Sequence, residues 1–129
     1  MNTRRHWIFS LLLAASAVAA QAAPSPALDD PNTVVTVMEF TAKDPAQRAE
    51  LAKRMTAMRD HIRKQPGYID NAVMQNRNPG NKPDYVGVTR WKSFKDWENM
   101  WLKEDMQKLV RAVVEVGDLR PNTFSPIKP

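Results

Sequence analysis

Residues 85–105 read YVGVTRWKSFKDWENMWLKED, and the hydrophobic period of this stretch changes halfway along it. Tyr85, Thr89 and Trp91 share one face with Gly87, and Val86 and Val88 share the other with Arg90, so Asp84–Lys92 reads as a β-strand. Beyond Ser93 the period lengthens. Phe94, Trp97 and Trp101 stand at i, i+3 and i+7, one face of a helix. Ser93 is its N-cap, and Asp96, three residues on, is the capping-box partner. Three of the chain's 4 tryptophans gather at this junction. The strand is also apolar on both faces, which predicts a sheet covered on both sides.

Upstream, YIDNAVMQN (68–76) reads as a second strand, joined by the turn-rich RNPGNKP to the first, which makes a hairpin. KDPAQRAELAKRMTAMRDHIRKQPG (43–67) is a helix with visible punctuation. Asp44 is the N-cap, Pro45 takes the first helical position, Gln47 completes a capping box, and Pro66-Gly67 ends it. Leu51, Met55, Met58 and Ile62 form its apolar stripe, while Arg48, Lys53, Arg59, Arg63 and Lys64 read as a solvated face. TVVTVMEFT (33–41) is β-branched and aromatic, a strand with Val34, Thr36, Met38 and Phe40 on one face and Val35 and Val37 on the other. Downstream, Glu104–Val116 reads as another helix, with Gly117 as its stop. A short edge strand is expected around Asn122–Ser125. The order β-α-β-β-α-α-β gives an α+β domain, one antiparallel sheet with helices on one face. Nothing in a chain of 129 residues is left to cover the other face, so a homodimer is expected.

The N-terminus reads as a separate piece. MNTRRHW carries Arg4 and Arg5, IFSLLLAASAVAA follows without a charge, and Ala20-Gln21-Ala22 has the small-x-small spacing of a processing site. The apolar run would rise about 20 Å as a helix, too short for a hydrocarbon core of about 30 Å. Residues 1–22 are therefore expected to be a signal peptide, cleaved after Ala22 or Ala23. Residues 23–32 are an extended lead-in, 33–125 the folded domain and 126–129 a tail. The mature protein is expected to be periplasmic or secreted, with no membrane attachment after cleavage. Loss of Arg4 and Arg5 lowers the net charge from +5 to about +3, with basic residues scattered among acids, which argues against nucleic acid as a partner. The absence of cysteine removes thiol and iron–sulfur chemistry. The mature chain keeps one histidine, His61, so no multi-histidine metal site can form within one chain, and neither a metal nor another cofactor is expected.

Four pieces of this pattern resemble the antibiotic-biosynthesis-monooxygenase-like domains of the dimeric α/β-barrel, ferredoxin-like superfamily. They are the first strand leading into a long helix, QPGYIDNAVMQN at the helix break, YVGVTRWKSFKDWENMWLKED, and the short helix and last strand after Trp101-Leu102. The resemblance spans roughly Thr33 to Phe124. It implies a small aromatic or quinone-like ligand and a cofactor-independent monooxygenase. In such an enzyme an electron-rich phenol loses a proton and passes an electron directly to dioxygen inside an apolar pocket. The alternative expectation is a non-catalytic ligand-binding or interaction module on the same fold. The haem-degrading branch of the family fits less well: Trp101 aligns with its tryptophan, but the ligand histidine ten residues on is Arg111 here, and the first strand has no asparagine.

The candidate pocket wall is Met38, Phe40, Trp91, Trp97 and Trp101. Three neighbouring indoles suit a flat ligand, and equally an inert core, where each N–H still needs a partner. Tyr85 shares the face of Trp91. His61, at the border of the first helix's stripe, is the mature side chain whose ordinary pKa lies nearest neutrality. Either is a candidate for the proton transfer, and each has the bland alternative of an ordinary surface or strand residue. Tyr68, Asn71, Asn76 and Arg90 are further polar candidates.

Overall fold

In the structure, a computed structural model, residues 24–128 are described; the expected signal peptide lies outside the described residues. The elements are β1 (Val34–Ala42), α1 (Arg48–Ile62), β2 (Tyr68–Gln75), β3 (Tyr85–Trp91), α2 (Phe94–Leu102), α3 (Glu104–Val114) and β4 (Gly117–Phe124). The four strands form one sheet in the order β2-β3-β1-β4, every neighbour antiparallel. β3 thus lies between β1 and β2, and β1 between β3 and β4. Two split β-α-β units interleave, which is the ferredoxin-like arrangement.

The strand faces follow the period-2 pattern. Val34, Thr36, Met38 and Phe40 of β1 and Gly87, Thr89 and Trp91 of β3 are buried. They meet Leu51, Met55, Met58 and Ile62 of α1, Met100 of α2, and Met106 and Val113 of α3 in one core. Leu51, Met106 and Val113 are wholly inaccessible. At about 25 cal/mol per Å², such burial is the main stabilising term. Among the described residues, the opposite face has no helix. On this face register sets Val37 opposite Val88, Val35 opposite Arg90 and Val86 opposite Glu39, with Ala72 and Met74 on one flank and Phe124 on the other. Met74 is 49% and Phe124 53% exposed.

Local signals decide the ends of the elements. The Ser93 hydroxyl accepts from the Asp96 backbone N–H at 3.1 Å and donates to its carboxylate at 2.8 Å, which starts α2. Asp44 also caps, accepting from the Ala46 N–H at 2.9 Å, but it caps a 3-10 turn over Pro45–Gln47 that runs into α1. Gln47 does not complete the expected capping box; its side-chain oxygen is buried without a partner. β4 is longer than expected, because Pro121 disguises it. An edge strand tolerates proline, and Pro121 sits opposite Met38 in a ladder that pairs with β1 alone. Gly117 opens this strand rather than merely ending a helix. A Cβ there would come within 2.7 Å of the Thr41 carbonyl oxygen, so glycine permits the close approach.

Candidate functional site

The structure divides the three tryptophans. Trp91 is wholly buried on the helix side of the sheet, where its indole N–H donates to the Thr36 hydroxyl at 3.3 Å. Its aromatic neighbour is Tyr68, set edge-on at 6.3 Å. Trp97 and Trp101 stack on each other along α2, 5.9 Å apart and 20° from parallel, with Phe94 5.4 Å from Trp97. Both are half-buried against the core, and the Trp97 indole N–H is buried without an acceptor. Helical spacing thus brings Trp97 and Trp101 together, while strand direction sends Trp91 into the sheet.

An apolar cleft lies elsewhere, between α1 and the sheet. Met38, Phe40, Gly87 and Thr89 form its floor. Met55, Met58, Arg59 and Ile62 of α1 form one wall, and Asn71 and Val73 of β2 the other. β2 is an edge strand and Val73 is 42% exposed, so the cleft opens along that edge. Gly87 keeps the floor low: a Cβ there would already touch the Phe40 ring at 3.6 Å. The free volume is about 20 Å³, room for about one water. Three of the lining side chains are methionines, whose unbranched thioethers repack easily.

The polar groups of the cleft are mainly donors. Arg59 lies beside the apolar stripe, four residues after Met55 and three before Ile62, and its Nε is buried with no hydrogen-bond partner. Among the described residues its ionic neighbour is Asp60, 3.6 Å from Nη2. The Asn71 carbonyl oxygen is already occupied. It accepts from the Tyr68 hydroxyl at 3.1 Å and from Arg63 Nε and Nη2 at 3.4 and 3.5 Å. The sequence reads Arg59 as part of a solvated face opposite the stripe, whereas its Nε is buried beside the cleft. The signal that would have found it is the i, i+4 and i, i+3 spacing to Met55 and Ile62.

Tyr85 and His61 stand at opposite ends of α1. The Tyr85 hydroxyl donates to the carbonyl of Arg48, the first residue of the helix, at 3.4 Å. It borders a separate hollow of about 70 Å³ with Asn76 and Asp84. His61 lies thirteen residues beyond Arg48, about 20 Å along the axis. Its Nε2 is 3.3 Å from the Gln65 amide nitrogen, and Gln65 in turn accepts from Lys103 at 3.0 Å. One small molecule cannot touch both. Arg90 faces the other side of the sheet. It holds Asp70 through two hydrogen bonds, at 2.6 and 2.8 Å, and the lead-in carbonyls of Pro26 and Ala27 at 2.8 and 3.1 Å. Among the described residues, no group of three or more His, Asp or Glu side chains is placed to hold a metal ion, and no helix is long and apolar enough to cross a membrane.

Comparison with known proteins agrees with this architecture. No curated protein matches the chain. The cofactor-independent oxygenase SnoaB from Streptomyces nogalater superposes with a TM-score of 0.65 at 15% identity, over 76% of this chain and 96% of its own. A candidate monooxygenase from Shewanella loihica is 26% identical, with a TM-score of 0.58 over 75% of this chain and 96% of its own. A dimeric ferredoxin-like protein of unknown function from Thermobifida fusca has a TM-score of 0.62 at 12% identity, over 80% of this chain and 99% of its own. The family model described as antibiotic biosynthesis monooxygenase matches residues 33–112, from the start of β1 into α3. On that match, and with that fold, the chain belongs to the antibiotic biosynthesis monooxygenase family.

Proposed function

We infer that the protein binds a small aromatic or quinone-like molecule in the cleft between α1 and the sheet and oxidises it with dioxygen, without a cofactor. The observation that carries this reading is the cleft itself. It has a Met, Phe and Ile lining, a floor opened by Gly87, and polar donors confined to Arg59, Asn71 and Thr89. The chemistry is balanced by substrate and dioxygen alone. A methylene activated by a neighbouring phenol loses a proton, and the carbanion-like anion passes an electron to dioxygen. The radicals combine, water leaves, and a carbonyl remains. One oxygen atom enters the product, the other becomes water, and all four electrons come from the substrate. The protein's part is to exclude water and stabilise the anion. Trp91, Trp97 and Trp101 support the cleft region from the sheet and from α2. Tyr85 and His61, the sequence candidates for proton transfer, do not line this cleft.

The acting form is a homodimer, supported by the helix-free sheet face with its valines, Met74 and Phe124. Export to the periplasm or beyond rests on the leader sequence. A non-catalytic binding module is the second reading, favoured by the small free volume, which a ligand must enlarge. The test is oxygen uptake with phenols that carry an adjacent activated methylene, comparing the wild type with Gly87→Val, whose side chain fills the floor while suiting a strand. Uptake proportional to wild-type protein and reduced at least about tenfold in the variant supports an oxygenase; such a drop corresponds to a lost binding contribution of about 1.4 kcal/mol. Saturable binding without uptake selects the module. Uptake undiminished in Gly87→Val removes the cleft from the reaction.

A further inference from the structure

We propose that the cleft recognises its ligand as an anion, a planar ring carrying an ionised oxygen such as a phenolate or enolate, and that Arg59 is the residue that reads the charge. This rests on the cleft being the ligand site. Arg59 Nε–H is hidden from solvent with no acceptor within the chain. A buried donor left unmet is costly, and a ligand oxygen placed against it recovers that cost. No aspartate or glutamate lines the cleft. The nearest approach of Asp60 is to Nη2, at 3.6 Å, and Asp60 is itself 57% exposed, while Nε keeps no hydrogen-bond partner. The Asn71 carbonyl oxygen is occupied by Tyr68 and Arg63, which leaves that side chain its amide N–H groups to offer. The hydrogen-bonding capacity left to a ligand is therefore weighted toward donation.

The rest of the wall decides how much this matters. Thioether, phenyl and aliphatic groups make a low-dielectric surround, in which a charge-assisted hydrogen bond is stronger than in water. A neutral ring gains burial alone; its anion gains burial and the guanidinium. The three methionines Met38, Met55 and Met58 would otherwise suit a soft cation. The positive charge of Arg59 in the same lining opposes that occupant.

The test compares two ligands of nearly the same shape, the anion of hydroxynaphthoquinone and its uncharged methyl ether, by calorimetry on the full mature protein. The wild type is expected to bind the anion about 10- to 100-fold more tightly than the ether, the range of one hydrogen bond to a charged group. Arg59→Met should erase that preference while retaining affinity for the ether, and Arg59→Lys should restore part of it. Gly87→Val should weaken both ligands. Equal affinities in the wild type, or a preference that survives in Arg59→Met, overturn the proposal and leave the cleft reading standing. Binding of neither ligand to the wild type, or anion binding indifferent to Gly87→Val, overturns both.

Discussion

Single side chains here are held to their roles by partners distant in sequence. Trp91 can be buried whole because the Thr36 hydroxyl, 55 residues away, accepts the hydrogen bond of its indole N–H. The sequence gives the strand and the face of Trp91, but a hydroxyl on the neighbouring strand is a matter of register, invisible to local spacing. Gly67 makes the same point more sharply. It sits at φ +84 between α1 and β2, and a Cβ built there collides with the Asp96 carboxyl group at the first turn of α2. Its carbonyl also accepts from the Lys92 N–H at 2.8 Å, continuing the β2–β3 pairing. Gly67→Ala must therefore strain the backbone and displace the α2 cap together, a loss of about 2–4 kcal/mol. Urea unfolding of the variant measures it. A loss under about 0.5 kcal/mol, typical of an indifferent surface change, would show that α2 moves away freely.

At the scale of elements, β2, β3 and the lead-in are tied together by Arg90, which is only 7% exposed. Its hydrogen bonds hold the Asp70 carboxyl below the usual carboxylate range. The folded-state pKa is thus lower than the unfolded one. The resulting stabilisation is fully present above the unfolded value, about 4, and disappears as pH falls through the lower folded value. Acid titration of stability should be flatter for Asp70→Asn than for the wild type in that window. Limited proteolysis should also cut the lead-in of the variant sooner, because Arg90 has lost the carboxylate that orients it. Identical acid profiles would mean that the pair contributes nothing net. The elements themselves were legible because each carries its own punctuation: Ser93 for α2, Pro66-Gly67 between α1 and β2, turn residues between β2 and β3. β4 was only half legible, since Pro121 breaks a pattern that an edge position allows. The cleft was the least legible feature. Met38 and Phe40 could be placed on a face, but the inward position of Arg59 depends on where β2 passes α1, which no local pattern encodes.

For the whole molecule, the decisive quantity is the apolar area left on the helix-free face of the sheet. Val35, Val37, Val86 and Val88 form its centre and Met74 and Phe124 its flanks. Among the described residues the helices occupy the other side, and the lead-in reaches this face at Arg90, so the part left exposed is available to another molecule. At one end of it lie Glu39, Asp118, Lys82 and Arg120, two acids and two bases around a hollow of about 290 Å³. None of the four is in an ion pair among the described residues. A two-fold axis can set such a mixed group against its own copy with acids over bases, whereas a surface of one sign would repel itself. The proposed homodimer therefore predicts a mass of two chains by light scattering at micromolar concentration. Val37→Asp and Val88→Asp each place a carboxylate at the centre of the contact. Burying it unpaired costs several kcal/mol on each side of the axis, about enough to dissociate an ordinary dimer. Both variants should run as folded monomers, with circular dichroism unchanged because neither side chain enters the core beneath the helices. A wild-type monomer that keeps its stability on dilution would sink the homodimer, and would leave the valine face to a partner of another kind.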